Sequence, residues 1–425
     1  MHTSAFPPAL LDVNGKGLGA FPPACTTAQI GDLGWNLLAE DVSLPVAVLD
    51  AKRVAHNLQW MQQFMEAYGV KLAPHGKTTM SPALFQRQLA GGAWGITLAN
   101  APQVRAAYHH GVRRIIMANQ LVGRANMAII AELLRDPDFT FFCCVDSADN
   151  VAALGAYFAE QGLRLPILIE LGVPGGRNGV RDDAQLRDVL DAIAKWPDAL
   201  ALAGIEVYEG VLPDEASIRR FLQRATAALK LLASEHRLRT DGPAILTGAG
   251  SAWFDVVAEE FSGVDIGSPL DIVLRPGCYL SHDVGIYRSS AERINTHNPV
   301  ARDHAPGLLP ALQVWAYVQS MPEPGRAIVA LGKRDAAFDA GLPSPATTYR
   351  PGSDATAPRK APAHWALTAM MDQHAFMAVE AHDDIQVGDM IAFDISHPCL
   401  TFDKWRQVLL VDEQYRVTDV AETFF

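Results

Sequence analysis

Through the first two thirds of the chain, short apolar runs alternate with longer amphipathic stretches. Gly69–Pro74, Trp94–Ala99, Arg114–Asn119, Phe139–Val145, Leu165–Leu171, Leu200–Val207, Pro243–Thr247 and Val264–Gly267 read as short buried strands. Between them, hydrophobic residues recur every three to four positions over 82–90, through Val104 and Ala107, and over 124–135, 147–161, 182–195, 214–236 and 252–260. Eight apolar strands interleaved with seven helices predict an α/β fold, a parallel (β/α)8 TIM-type barrel rather than an open doubly wound sheet. A further strand at Leu44–Asp50 and a helix over 51–68, with Val54, Leu58, Met61 and Phe64 on one face, precede this rhythm.

Past residue 285 the helical rhythm stops. Ala311–Gln319, Arg326–Leu331, His374–Val379, Asp389–Asp394 and Gln407–Val411 are β-like and separated by Pro, Gly and Asp turns, which predicts a mostly antiparallel β domain. Gly341–Pro362, rich in proline and without periodicity, is expected as an exposed loop. The expected division is an arm over 1–43 packing on the β domain, a barrel over 44–285, and a β domain over 286–425.

Composition narrows the function classes. A chain of 425 residues exceeds one ordinary core, in keeping with two domains. With 35 basic against 47 acidic residues the net charge is −12, and no basic run exceeds Arg113-Arg114, which argues against a nucleic-acid or anionic-membrane partner. The amino terminus lacks a basic region followed by an apolar one, and no long uncharged apolar span occurs, so a cytoplasmic location is expected. Five cysteines are too few for a disulfide framework, and Cys143 and Cys144 lie in an apolar strand as small core residues.

In a (β/α)8 barrel the active site forms at the C-terminal ends of the strands. Four polar or glycine-bearing segments follow such ends: His75-Gly-Lys77, Gly172–Gly179 with Arg177 among its glycines, Tyr208-Glu-Gly210, and Thr247-Gly248-Ala249-Gly250-Ser251. A lysine at the mouth of a buried strand is partly desolvated, which suits Lys77 to forming a Schiff base with an aldehyde cofactor, with His75 beside it as a second candidate catalytic group. The glycine-rich turn at Thr247–Ser251, placed between a strand and a helix, can offer backbone N–H groups to a phosphate, though such turns also occur where a chain merely bends. Tyr279 and Asp283, where the chain leaves the barrel, are candidate substrate contacts. Finally, if Ser396–Leu400 is extended, His397 and Cys399 share a face, and an imidazole with a thiolate suits a borderline-soft divalent metal such as zinc. The alternative is a packed histidine beside a buried cysteine.

Pro74-His-Gly-Lys77-Thr-Thr, Gly175-Gly-Arg177-Asn-Gly179, Tyr208, Gly248-Ala-Gly-Ser251, Leu274-Arg-Pro-Gly-Cys-Tyr279 and Ser396-His-Pro-Cys399-Leu-Thr-Phe-Asp-Lys-Trp405 occur in this order. Together they resemble the D-serine dehydratase and D-threonine aldolase family, fold type III pyridoxal phosphate enzymes with an alanine-racemase-like barrel. The resemblance spans roughly residues 40–425, and its two end motifs are the specific ones. It implies that Lys77 holds pyridoxal phosphate, that Arg177 approaches the ring hydroxyl and Tyr208 the pyridine nitrogen, and that Gly248–Ser251 receives the phosphate. It also implies that His397 and Cys399 bind a divalent metal, zinc first, with manganese or cobalt as alternatives. Family aldolases tend to carry His-x-Asp at the last pair and dehydratases His-x-Cys; the cysteine here shifts the expectation toward elimination of water from a D-3-hydroxy amino acid. Retro-aldol cleavage is the runner-up, and a non-enzymatic pyridoxal phosphate carrier of the same barrel type is the alternative outside catalysis. Related barrels imply a homodimer.

Overall fold

The computed structural model describes residues 10–20, 23–239 and 241–425. Its first strand, β1 (Val46–Asp50), leads through the helix Ala51–Tyr68 into a second, parallel sheet of eight strands. These are β2 (Lys71–Leu72), β3 (Ile96–Leu98), β4 (Arg114–Gln120), β5 (Thr140–Val145), β6 (Leu165–Leu171), β7 (Leu200–Val207), β8 (Ala244–Gly248) and β9 (Leu270–Leu274). The order is β2-β9-β8-β7-β6-β5-β4-β3. Its two edge strands close on each other: the Trp94 N–H donates to Leu72 O at 2.7 Å, the Thr97 N–H to Pro74 O at 2.9 Å, and His75 bridges Thr97 in parallel register. The sheet is therefore a barrel, as expected.

Side-chain alternation explains why each strand is apolar throughout. One set of positions, including Ala73, Ile116, Phe142, Leu168, Ala203, Ile245 and Val273, packs together inside the barrel. The intervening set, including Ile115, Phe141, Ile167 and Leu246, packs against the helical layer. Cys143 and Cys144 are both fully buried. Several helices begin on an aspartate, asparagine or serine that follows a strand: Asp50, Asn100, Ser147, Asp182 and Asp214 each accept a first-turn backbone N–H. Such caps are worth about 1 kcal/mol each and set where the strand-to-helix loops turn.

Two barrel expectations need correction. The eighth strand is β9, not Val264–Gly267. Gly267 has φ +73°, and the Asp265 carboxylate accepts the Gly267 N–H at 2.8 Å, so that segment turns before the chain re-enters the sheet. The strand at Leu44–Asp50, grouped by sequence with the barrel, lies in the other sheet, where β1 pairs in parallel with β17 (Gln407–Val411) and antiparallel with β10 (Leu312–Glu323). Local hydrophobicity cannot tell which sheet a buried strand will join.

The sheet that holds β1 has ten strands and is antiparallel except for the β1–β17 pair. Besides β1, β10 and β17 it holds β11 (Arg326–Val329), β12 (Ser344–Tyr349), β13 (Arg359–Lys360), β14 (Ala366–Met370), β15 (Ala375–Ala378), β16 (Met390–Asp394) and β18 (Val417–Glu422). The segment expected as a loop over 341–362 contributes β12 and β13, whose polar, half-exposed sequence hid the pairing of β12 with β16. Helices Arg288–His297 and Pro299–Asp303 interrupt what was expected to be helix-free chain; both bury one hydrophobic position, too weak a pattern to stand out. The described part of the arm packs on this sheet: Leu11, Leu18, Ile30, Leu37 and Val42 cluster with Val46, Trp315, Leu409 and Val420. Residues 1–9, 21 and 22 of the arm lie outside the described residues.

Candidate active site

The loops at the C-terminal ends of the strands enclose a cavity of about 200 Å³ lined by His75, Lys77, Thr78, Arg177, Glu206, Tyr208, Gly250, Ser251, Arg275, Cys278, Tyr287 and Cys399, among others. Lys77 sits in a one-turn 3-10 helix (Gly76–Thr78) that follows β2, rather than on the strand itself, and its side chain is exposed. The turn is held from both sides. The Phe424 N–H donates to Met80 O at 2.8 Å, and Met80 itself is fully buried with φ +40°, a conformation that costs a non-glycine residue of order 1 kcal/mol. Gly277 closes against the same turn, because a Cβ there would lie 2.6 Å from His75 Cβ and 2.8 Å from His75 O.

His75 is held neutral. Burial, then the positive charges of Arg275, Lys77 and Arg177, push its pKa well below the ordinary histidine value, and its Nδ1 has no hydrogen-bond partner. Arg177 lies 5.4 Å above the Tyr208 ring, on an exposed loop whose carbonyls at Gly176 and Gly179 accept from the Arg181 guanidinium at 2.9 Å. Asn178 ties that loop to Gln120, and Gln120 to Glu170, each at 2.7 Å. Burial raises the Tyr208 pKa, so the phenol stays protonated.

The floor of the cavity is an ion pair that sequence reasoning did not assign. Arg275, 1% exposed, donates to Thr247 Oγ1 at 2.6 Å, to Val207 O at 3.1 Å and to Glu206. Burial, with nearby Glu170, pushes the Glu206 carboxyl up to about 7 against the pull of Arg275. The signal was an arginine directly after an apolar run; it was missed because the eighth strand was set too early, which left Arg275 off the barrel rim.

The glycine-rich turn differs from its expected use. Its Ala249 and Gly250 N–H groups donate to Glu209 at 3.1 and 2.8 Å, so a buried carboxylate of this chain already occupies them. Thr247, Gly248 and Ala249 are buried in the barrel wall and do not line the cavity; Gly250 and Ser251 do. Ser251 Oγ accepts the N–H groups of Gly277 and Cys278 at 3.2 and 3.1 Å, which joins this turn to the next.

The two candidate substrate contacts do not reach the cavity. Tyr279 is 2% exposed, its hydroxyl accepts from Gln88 at 3.3 Å, and burial raises its pKa. Asp283 accepts the Gly285 and Tyr287 N–H groups through Oδ1, while its buried Oδ2 has no partner. Tyr287, which sequence reasoning passed over, lines the cavity instead.

His397 and Cys399 are brought to the same place, though not by a strand. The chain leaves β16, and Pro398 in helical conformation caps a short helix, Cys399–Phe402. Cys399 lines the cavity with its Sγ 3.4 Å from Thr78 Oγ1 and 3.7 Å from Cys278 Sγ. The His397 Nδ1 bonds Asp339 Oδ2 at 2.7 Å. Hydrogen bonds from Cys278 and His397, with Lys77 nearby, hold the Cys399 thiol down at about 4; bonds to Cys399 and Asp339 hold His397 up at about 9. The contact thus favours the charged form of each partner, a thiolate beside an imidazolium.

Comparison with known proteins fits this geometry. The model described as "Alanine racemase, N-terminal domain" matches residues 49–268, and that described as "Putative serine dehydratase domain" matches residues 311–411. The chain belongs to the alanine racemase N-terminal domain family. Among curated proteins, the D-threonine aldolase of Arthrobacter sp. is 28% identical over 374 residues, covering 86% of this chain and 85% of its own. The D-threo-3-hydroxyaspartate dehydratase of Delftia sp. is 33% identical over 139 residues, 33% of this chain and 36% of its own. Among solved structures, the D-threonine aldolase of Filomicrobium marinum superposes with a TM-score of 0.74 at 23% identity, covering 92% of this chain and 97% of its own. Lys77, Arg177 and Tyr208 fall in the alanine racemase match; His397 and Cys399 fall in the serine dehydratase match.

The residues present fit both groups that this family barrel and the dehydratase domain call for. Lys77, Arg177 and Arg275 against Glu206 leave the cavity net positive, as an anionic phosphate requires, and the orphaned His75 Nδ1 awaits a polar partner. A cysteine and a histidine that lower and raise each other's pKa, with the Asp339 carboxylate on His397 Nδ1, form a donor set that suits a divalent metal. No helix among the described residues is long and apolar enough to cross a membrane.

Proposed function

We propose that this chain is a pyridoxal phosphate- and divalent-metal-dependent dehydratase that eliminates water from a D-3-hydroxy amino acid such as D-serine, releasing a 2-oxo acid and ammonia. The observation that carries this reading is Cys399, paired with His397, in the same cavity as Lys77. Bound through Lys77, pyridoxal phosphate supplies the electron sink for charge at Cα, and a metal on His397 and Cys399 supplies a Lewis acid for the β-oxygen.

The chain's own residues divide the remaining work. Lys77, once free, is placed to take the α-proton. Arg177 and Tyr208, both lining the cavity, would hold the ring, Arg177 at its hydroxyl and Tyr208 at the pyridine nitrogen, as the family resemblance implies. Tyr208, kept neutral by burial, cannot supply the negative counter-charge a carboxylate would, which leaves more of the activation to the metal. Gly250 and Ser251, rather than the whole turn, would receive the phosphate, with Glu209 holding the turn in shape. His75, held neutral with a free Nδ1, can offer a hydrogen bond to what the cavity holds without adding charge to it.

Retro-aldol cleavage stands as the second reading because the Arthrobacter aldolase aligns along most of this chain. Supplying D-threonine separates the two: 2-oxobutanoate and ammonia support elimination, whereas acetaldehyde and glycine overturn it. Exhaustive chelation should abolish ammonia release from D-serine, and undiminished release would remove the metal from the scheme. A homodimer in the cytoplasm is part of the proposal, tested by sedimentation and by fractionation.

A further inference from the structure

We propose that Arg181 is a positioning residue for the cofactor: its guanidinium fills the centre of the glycine loop after β6 and fixes the backbone from which Arg177 reaches the cavity. This rests on the reading of Arg177 as a cofactor contact and extends it to a residue outside the cavity wall.

The loop leaves the barrel rim and returns to the same point. The Gly172 N–H donates to Val180 O at 2.9 Å and the Val180 N–H to Glu170 O at 2.8 Å, which closes residues 173–179 into a loop. Glycine at 172, 175, 176 and 179 gives that excursion little conformational preference of its own. Arg181 supplies the shape. Its guanidinium donates to four successive carbonyls: Nη2 to Gly176 O at 2.9 Å and Arg177 O at 3.2 Å, Nη1 to Asn178 O and to Gly179 O at 2.9 Å. The first two carbonyls belong to the peptide units on either side of the Arg177 Cα, so these bonds set the direction in which its side chain leaves the backbone.

Two further observations show that the fit is built. A Cβ at residue 172 would lie 2.0 Å from Arg181 Nη1, so glycine there leaves room for the guanidinium. Arg181 is also anchored from behind, because its N–H donates to Gln185 Oε1 at 2.8 Å at the start of the helix Asp183–Ile193, and its side chain is half-buried. Hydrogen bonds from a charged donor are the stronger kind, and a planar fork can serve several carbonyls at once where a point donor cannot. The consequence is preorganisation. Arg177 is itself exposed and would otherwise have to be ordered each time the cofactor binds. If the loop without the fork holds this arrangement about a tenth of the time, pyridoxal phosphate binds about tenfold more weakly.

The test is a double-mutant cycle on cofactor affinity, read by titrating pyridoxal phosphate into the cofactor-free protein and following the absorption band. Arg181→Lys keeps the positive charge and replaces the fork with a point donor, so a loss reports the fork rather than attraction to the phosphate. R181K is expected to bind the cofactor about tenfold more weakly than wild type. Arg177→Met should be weakened as well, and R177M/R181K should be no weaker than R177M, because Arg181 acts through Arg177. Gly172→Ala gives a second route: its Cβ displaces the guanidinium without altering Arg181, and it should repeat the R181K loss. Wild-type affinity in R181K or in G172A overturns the inference, and so does a full R181K loss added on top of R177M, which marks a general loosening of the site; in each case a weakened R177M keeps the Arg177 reading. Wild-type affinity in R177M overturns both.

Discussion

Replacing Arg275 with methionine keeps most of the side-chain volume and removes the guanidinium that faces Glu206 at the floor of the cavity. Glu206 is 2% exposed and also sits beside Glu170, so the variant leaves a buried carboxylate with no cation in contact. Breaking a buried pair from one side costs about 3–5 kcal/mol, whereas replacing both partners by neutral groups is often close to neutral. Urea unfolding at pH 8.5 should therefore show R275M less stable by about 3–5 kcal/mol, and R275M/E206Q should recover most of the loss.

The sign of the pH dependence follows from Glu206. Its pKa is already raised to about 7 from 4.5, and without Arg275 it rises further. A raised folded-state carboxyl favours the fold at low pH, and that contribution is lost as pH climbs through the folded value. The R275M deficit should accordingly shrink at pH 5.5, where the folded protein can protonate Glu206, and be full at pH 8.5. A deficit below about 1 kcal/mol at pH 8.5, or one that does not vary with pH, would refute the reasoning.

Lys77→Ala should abolish the pyridoxal absorption band and ammonia release, yet its cofactor-free form should unfold within about 0.5 kcal/mol of cofactor-free wild type, because the Lys77 side chain is exposed. Asp339→Asn should lower His397 from about 9 in the metal-free protein, read by NMR titration of its ring. Because the folded His397 value lies above the ordinary 6.5, the stability it lends is full below pH 6.5 and lost as pH rises through 9, and the variant should move the upper limit down. Gly277→Ala must part the turns carrying Lys77 and Cys278, since its Cβ would lie 2.6 Å from His75 Cβ; a stability loss of about 1–3 kcal/mol with a fall in kcat is expected, and unchanged turnover would show that the turns can give.

The barrel was legible because its signal is local. Strands buried on both faces are apolar throughout, helices bury one stripe, and loops between them carry Gly and caps, so β4–β8 fall where hydrophobicity places them. What failed was non-local. β1 is as apolar as a barrel strand but finds its partners at Trp315 and Leu409, and β12 hides in a polar stretch until β16 pairs with it. The same distinction runs through the site. Lys77, Arg177 and Tyr208 announce themselves by the strand end or glycine run beside them. Glu209, Glu206 and Asp339 matter only because the fold sets them against residues 41, 69 and 58 positions away, at Gly250, Arg275 and His397.

These long-range contacts also show how the proposed chemistry depends on the second sheet. The barrel alone presents a lysine, two arginines and a tyrosine, enough to hold a cofactor. The group expected to act on the β-oxygen arrives on the segment after β16, and that segment is fastened to the barrel at several points. The Val284 and Ile286 N–H groups donate to Ile395 O and Ser396 O at 3.1 and 2.9 Å, and Gly285 packs so closely on Ser396 that a Cβ would lie 2.5 Å from its carbonyl oxygen. Cys399 then meets Thr78, the residue after Lys77, at 3.4 Å. If the proposed elimination requires sub-ångström placement between a proton-accepting amine and a leaving oxygen, a tight seam next to Lys77 is the feature that would let groups from the two sheets act on adjacent carbons of one small substrate.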